Sequence, residues 1–315
     1  MNTLDPSYLS LGDSLRTAVP NPYYGRLPSG SPLNTPTISR QQSLLPFPYY
    51  STINVKSPRD GSFVNHALIV KVTHTSSNGL TLIGSYTKAK LIDFSIQPAL
   101  GFALSSFAST SSYQNPYDRQ AERSLDPNDI SQRATISALY RLPFGRGMKY
   151  AANSNACVNA LIGGWQFNSI TLLQTGVPLG IRGASSNVAT RPNFDPTSGS
   201  PKLAHPTEKA WFNKFAFINP PDKWSYGNVP RYLANVRGPG TWNEDLSVFK
   251  SVPIHDNLNL QLRLEGFNAF NHINPADPNQ GFSADATGHA TGTFGSITAA
   301  AHDARIVQLA ARITF

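Results

Sequence analysis

The chain has one cysteine, Cys157, so no internal disulfide framework braces it. Charge is scarce as well: Asp, Glu, Lys and Arg make up 14% of the 315 residues, against roughly 25% in ordinary soluble domains. The hydrophobic share, 40%, does not make up the difference. Ser, Thr, Asn, Gln, Gly and Pro do, and 25 Pro with 23 Gly interrupt helices and favour turns and extended chain. A mostly helical protein is excluded on that balance. A soluble surface is normally kept wet by charge, so low charge without high hydrophobicity suits a β-protein whose outer face meets lipid.

Long apolar runs are also missing. Two uncharged stretches, Phe94 to Tyr117 and Tyr150 to Ile181, are long enough to span a bilayer as helices. The first is rich in Ser and holds Pro98. The second holds Asn153, Asn155, Asn159, Gln166, Asn168 and Gln174, whose amides are costly at a bilayer centre. Neither is read as a helical span. The 26 Lys and Arg give a net charge of +8 but form no run of five or more, which argues against a nucleic-acid partner. Met1-Asn2-Thr3-Leu4-Asp5-Pro6 carries no basic n-region and no apolar h-region, so no signal peptide is read there.

Catalytic signatures are absent too. The seven histidines, His66, His74, His205, His255, His272, His289 and His302, show no metal-ligand spacing, and no GxSxG or P-loop occurs. Asp126, Asn128 and Asp129 read as a plain turn, because no Glu closes a calcium loop behind them. Glu244 and Asp245, adjacent on a strand, point to opposite faces and cannot work together on one bond. No enzyme and no cofactor is expected.

What is present is alternation. Residues 1–64 carry nine prolines and no sustained period, yet include Tyr23-Tyr24 and Tyr49-Tyr50, and read as a long Pro-rich loop region that packs on something. From Asn65 the period becomes 2. Leu68, Val70 and Val72 share a face, Ser76-Ser77-Asn78-Gly79 turns the chain, and Leu80, Leu82, Gly84 and Tyr86 return on the same side. Further strands follow. Ala134, Ile136, Ala138, Tyr140 and Leu142 share one face, Trp165, Phe167, Ser169, Thr171 and Leu173 the next, then Leu246 and Val248. Leu258, Leu260, Leu262 and Leu264 come after a turn expected at Pro253 and Asp256-Asn257, and Val307, Leu309, Ala311, Ile313 and Phe315 end the series.

Seven strands result, each near the 9 to 11 residues that a tilted strand needs to cross a bilayer. The apolar face carries no charge at the strand centres, whereas the other carries Lys71, Arg133, Arg141, Arg263, Glu265 and Arg312. A β-sandwich or soluble barrel also alternates, but its polar face is the exposed one and usually carries more charge. Short and long connections alternate, with long external loops expected at about 91–130, 176–243 and 269–303. The predicted fold is all-β: an antiparallel transmembrane β-barrel portion of about seven strands over 65–315, incomplete as a barrel and part of something larger.

Several segments, in order, resemble the Oar-like TonB-dependent outer-membrane transporters: Tyr8-Leu9-Ser10-Leu11-Gly12, Val19-Pro20-Asn21-Pro22, and Tyr113-Gln114-Asn115-Pro116-Tyr117-Asp118-Arg119 through Ala121-Glu122-Arg123. So do Arg141-Leu142-Pro143-Phe144-Gly145-Arg146-Gly147, Gly163-Gly164-Trp165-Gln166, Arg237-Gly238-Pro239-Gly240 and Phe267-Asn268-Ala269-Phe270-Asn271-His272. The resemblance implies the C-terminal barrel portion of a large plugged barrel in the bacterial outer membrane. It also implies uptake of a substrate with energy passed through TonB, which is expected to engage only N-terminal parts missing from this chain, contacts with outer-membrane lipid, and insertion by the barrel assembly machinery. It supplies no ligand motif. The last strand resembles the assembly signal of such barrels, with Phe315 as its terminal aromatic and Val307, Leu309, Ala311 and Ile313 completing the face. The alternative is an exported all-β binding or adhesion module that grips a polymer or glycan through Tyr23-Tyr24, Tyr49-Tyr50 and Trp224 to Tyr226.

Overall fold

A computed structural model describes residues 2–53, 61–94, 113–188, 190–255 and 258–315. Seven long strands follow one another: β1 (Phe63–Thr75), β2 (Leu80–Asp93), β3 (Gln132–Arg141), β4 (Trp165–Gln174), β5 (Thr241–His255), β6 (Leu258–Phe267) and β7 (Ile306–Thr314). They are the seven expected from alternation. Each pairs antiparallel with its neighbour in sequence, a meander running from β1 to β7, and a two-residue strand, Ser124–Leu125, adds to β2 to complete one eight-stranded sheet. The sheet is not closed: β1 and β7 are its edges.

Register fixes the faces, since directly opposite residues of an antiparallel pair point the same way. Val72 lies opposite Gly84, Gly84 opposite Ile136, and Ile136 opposite Thr171. On the other side of the sheet Val248 faces Leu264, which faces Leu309. The apolar sets read from the sequence therefore form one continuous face across all seven strands. Leu68, Val70, Val72, Ile136, Leu173, Leu262, Leu264, Val307, Leu309 and Ile313 are exposed on it. Lys71, Arg133, Arg141, Arg263, Glu265 and Arg312 stand on the opposite face, together with the exposed Ile69, Ile83 and Ile170.

The structure corrects details. β1, β2 and β5 have 13, 14 and 15 residues, longer than read, so the connection after β2 begins beyond Asp93 rather than near 91. Pro253 does not turn the chain; it pairs with Asn259 inside β5, next to a register shift before His255, one of the few places a strand tolerates proline. Asp256-Asn257 lies outside the described residues, as does most of the stretch from Phe94 to Tyr117. The Tyr150 to Ile181 stretch contributes one short helix, Ala156–Ile162, and then β4. Among the described residues no helix is long and apolar enough to cross a membrane.

Connections at one end of the sheet are short: 76–79, 142–164 and 256–257. At the other end they span 94–131, 175–240 and 268–305. The described residues of these long connections pack together. The main buried cluster lies in them rather than against the sheet, with Leu179, Ile181, Phe212, Phe217, Val229, Leu233, Phe282 and Phe294 at its centre. Phe294 packs edge-on against Phe212, Phe217 and Phe282, with ring centroids 5.0, 5.6 and 5.5 Å apart, the geometry that the ring quadrupole favours. A second cluster, Leu4, Leu15 and Trp224, ties the N-terminal region to this cap. That region was expected to be irregular. It holds an interrupted 3₁₀ segment, Pro6–Arg16, a short hairpin pairing Ala18–Pro20 with Thr37–Ser39, and the helical turn Arg40–Ser43.

Candidate functional site

The cap meets the wall at the polar-face end of β2, and the contact is electrostatic. Asp93, the last residue of β2, pairs with Arg231 of the cap, and both side chains are buried, at 0% and 4% exposed. Glu122 takes a bidentate pair from Arg191, whose Nη1 and Nη2 donate at 2.6 and 3.0 Å to its two carboxylate oxygens. Arg237 pairs with buried Asp129 and also donates to the carbonyls of Asp129 and Gly176, at 2.6 and 3.2 Å. In a chain this poor in charge, three ion pairs gather in one region among the described residues: Asp93–Arg231 joins wall to cap, while Glu122–Arg191 and Asp129–Arg237 tie the 94–131 and 175–240 connections to each other. Taking two charges out of water requires such full pairing.

The motif residues sit at these joints. Gln114 receives the Arg191 N–H on its carbonyl oxygen at 3.2 Å and donates to the Gly227 carbonyl at 2.8 Å, while its own N–H bonds Glu122 at 3.0 Å. Gly176 and Gly238 cross so closely that a Cβ on Gly176 would run into the Gly238 carbonyl. Asn268, in the left-handed region at φ 48°, exchanges two side-chain bonds with His272 backbone groups, and its own N–H donates to the Asp245 carboxylate at 2.9 Å. Asp126, Asn128 and Asp129 close a turn: the Asn128 N–H donates to the Asp126 carboxylate at 2.8 Å, and Asp129 accepts the Leu91 N–H. Among the described residues no group of three or more His, Cys, Asp or Glu could hold a metal ion.

At the short-turn end, Gly164, at φ 69°, abuts the Ser251 carbonyl, and Lys250 donates to the carbonyls of Leu161 and Gly163 while lying 5.1 Å over the Trp165 ring. Lys250 and Glu244 stand on the apolar face, which sequence reading had left free of charge. Both are tied down, Glu244 by the Ser169 hydroxyl, with Ser169 on β4 and Glu244 near the start of β5. Aromatic side chains mark both ends of that face. Trp242 stacks on Phe270 with centroids 6.0 Å apart and meets His272 at 4.6 Å, and Tyr86 donates to Gln132 at 2.9 Å. At the short-turn end Phe144 lies 5.5 Å from Tyr150, and Tyr140 and Trp165 stand at the ends of β3 and β4 on the apolar face. Two aromatic belts with an apolar band between them are how a barrel wall meets the two interfaces of a bilayer.

In the last strand Val307, Leu309, Ala311 and Ile313 lie opposite Gly266, Leu264, Leu262 and Leu260, and Phe315 follows β7, 95% exposed. Trp224 is not available to grip a ligand, being 3% exposed with its indole N–H donating to Asp13 at 3.0 Å. Tyr24, Tyr49 and Tyr50 are exposed.

One cap carboxylate has a defined titration. Asp195 receives the Thr197 hydroxyl, the Ser198 hydroxyl and the Thr197 N–H at 2.7, 2.7 and 2.8 Å, and these bonds hold its carboxyl down at about 2. A depressed carboxyl contributes stability above its unfolded value, near 3.8, that is lost as pH falls through about 2. Asp195→Asn should flatten the pH dependence of cap unfolding between about 4 and 2, read by tryptophan fluorescence; an unchanged acid limb would contradict this role.

A family model described as an outer membrane beta barrel domain matches residues 3–308. No curated protein and no solved structure matches the chain. With an antiparallel meander, one lipid-suited face, two aromatic belts and that match over nearly the whole length, the chain belongs to the outer membrane β-barrel family and resides in the outer membrane.

Proposed function

We propose that the chain is the barrel-forming part of an Oar-like TonB-dependent transporter, a non-catalytic component that takes up a substrate across the outer membrane. The observation that carries this reading is the cap: the described residues of the long connections form a folded unit, tied together by the Glu122–Arg191 and Asp129–Arg237 pairs and pinned to the end of β2 by the buried Asp93–Arg231 pair. A passive pore needs an open mouth, whereas a receptor needs an ordered surface over it. The family-like segments support the same reading, because Gln114, Glu122, Arg237 and Gly238 tie the connections of the cap to one another, and Asn268 ties the 268–305 connection to Asp245 of β5. TonB is the proposed energy-coupling partner. The barrel assembly machinery is the proposed inserting partner, engaging the apolar ladder of β7.

The test compares spent medium from cells with and without the gene, each with and without a working inner-membrane energy-coupling system. A solute that stays undepleted both without the gene and without coupling is the expected result. Depletion that continues equally in uncoupled cells would make the protein a passive pore. One observation favours the binding-module reading at the cap surface: Tyr23, Phe47, Tyr49 and Tyr50 form an edge-packed aromatic group. Its loop is pinned by Asn2 and Gln42 side-chain amides on the carbonyls of Phe47, Pro48 and Tyr50.

A further inference from the structure

We propose that the lipid-facing side of β1 to β3, at the end carrying the long connections, binds the phosphate headgroup of an outer-leaflet lipid. That end is the external one in barrels of this kind, where short turns lie on the periplasmic side. The inference goes beyond the transport reading and stands without it.

The residues come from the register. Lys88 and Lys90 of β2 share the face of Leu82, Gly84 and Tyr86, since Lys88 lies opposite Leu68 and Gln132, and Lys90 lies opposite His66. Both lysines are exposed, and neither has an ion-pair or hydrogen-bond partner among the described residues. No carboxylate stands on this face of β1, β2 or β3; the one acid in these strands, Asp93, is on the polar face and already paired with Arg231. Two like charges two residues apart on one strand repel unless an anion lies between them.

Depth argues for a headgroup. A lysine on the lipid face costs about 2 to 4 kcal/mol at the bilayer midplane and about 0 to 1 near the interface. β2 continues past Gln132, the first residue of β3, so Lys88 stands level with the rim of the wall and Lys90 one step further out. Tyr86 and Trp242 of the external aromatic belt lie just below, and they border a groove of about 410 Å³ whose wall includes Ala134 and Leu173. A basic pair above a groove walled in part by Tyr86, Trp242, Ala134 and Leu173, on a lipid-facing surface, matches a phosphate carried on acyl chains. A free phosphate would leave the apolar part of the groove, Ala134 and Leu173, unused, and an acidic protein would have to reach through the membrane interface.

The experiment uses the full chain in detergent micelles, with bound lipid counted by native mass spectrometry. The probes are phosphorylated lipid A, its dephosphorylated form and inorganic phosphate. One phosphorylated lipid should be retained, and the pair Lys88→Gln with Lys90→Gln should weaken it roughly thirty-fold. Lys88→Arg with Lys90→Arg should keep it. Equal affinity in the glutamine pair, equal binding of the dephosphorylated lipid, or displacement by inorganic phosphate would overturn the proposal. Should the glutamine pair fail to insert, each single substitution is expected to lose about five-fold, and no loss in either single variant would be equally fatal.

Discussion

Arg231→Met should undock the cap from the wall. The substitution leaves Asp93 with a buried carboxylate and no counter-charge, in a site where Asp93 Oδ2 already lacks a partner. Burial draws the Arg231 guanidinium down to about 10, which still leaves it charged at neutral pH, so the pair is ionic in the working protein. Removing one member of such a pair costs about 3 to 5 kcal/mol, most of it the penalty for the charge left behind. Replacing both members with apolar residues, Arg231→Met with Asp93→Leu, should recover much of that loss, since well-packed apolar substitutes for buried pairs are often neutral or stabilising. The measurement is a double-mutant cycle on thermal unfolding in detergent, with limited proteolysis of the 175–240 connection as a second readout. A single variant as stable as the native protein would mean that the pair does not hold the cap.

The second large effect separates the two faces of the wall. Leu262 lies mid-strand in β6 on the lipid-facing side, opposite Lys250 of β5 and Ala311 of β7, while its neighbour Gln261 points to the polar side. Leu262→Arg should destabilise the inserted protein by about 2 kcal/mol, because an arginine is placed on the lipid face directly opposite the cation of Lys250. Gln308→Arg adds the same charge on the polar side of β7, opposite the carboxylate of Glu265, and should cost little. Equilibrium unfolding from vesicles compares the two. Equal costs would remove the face assignment on which the whole wall rests.

The wall was legible in the sequence because its physics is local. Period-2 alternation, the Asn78-Gly79 turn and the ladder Leu258, Leu260, Leu262, Leu264 identify strands without knowledge of their partners, and a meander then pairs each with the next. The cap was not legible. Phe212, Phe217, Phe282 and Phe294 are spread over segments rich in Pro, Gly and Asn with no period, and only the folded chain shows that they share one core. Trp224 was read as an exposed gripping residue because aromatic residues in loops often are, whereas its indole is buried by Leu4 and Leu15 from far away in sequence. Glu244 and Lys250 escaped the face count because their satisfaction depends on Ser169, Leu161 and Gly163. One signal was available: in so charge-poor a sequence, Asp93, Glu122, Asp129, Arg191, Arg231 and Arg237 are conspicuous, and their clustering around the long connections pointed to a joint.

The spacing of those ion pairs along the chain has a consequence for the order in which the protein forms. Glu122 and Arg191 are separated by 69 residues, Asp129 and Arg237 by 108, and Asp93 and Arg231 by 138, whereas β1 and β2 are joined across 76–79. Closing a long loop costs entropy before any contact rewards it, and non-local contacts are accordingly slow to form. Hairpins therefore zip first, and the clasp between cap and wall shuts last, once the strand ends that carry Asp93 and Thr241 are already held in place by their neighbours.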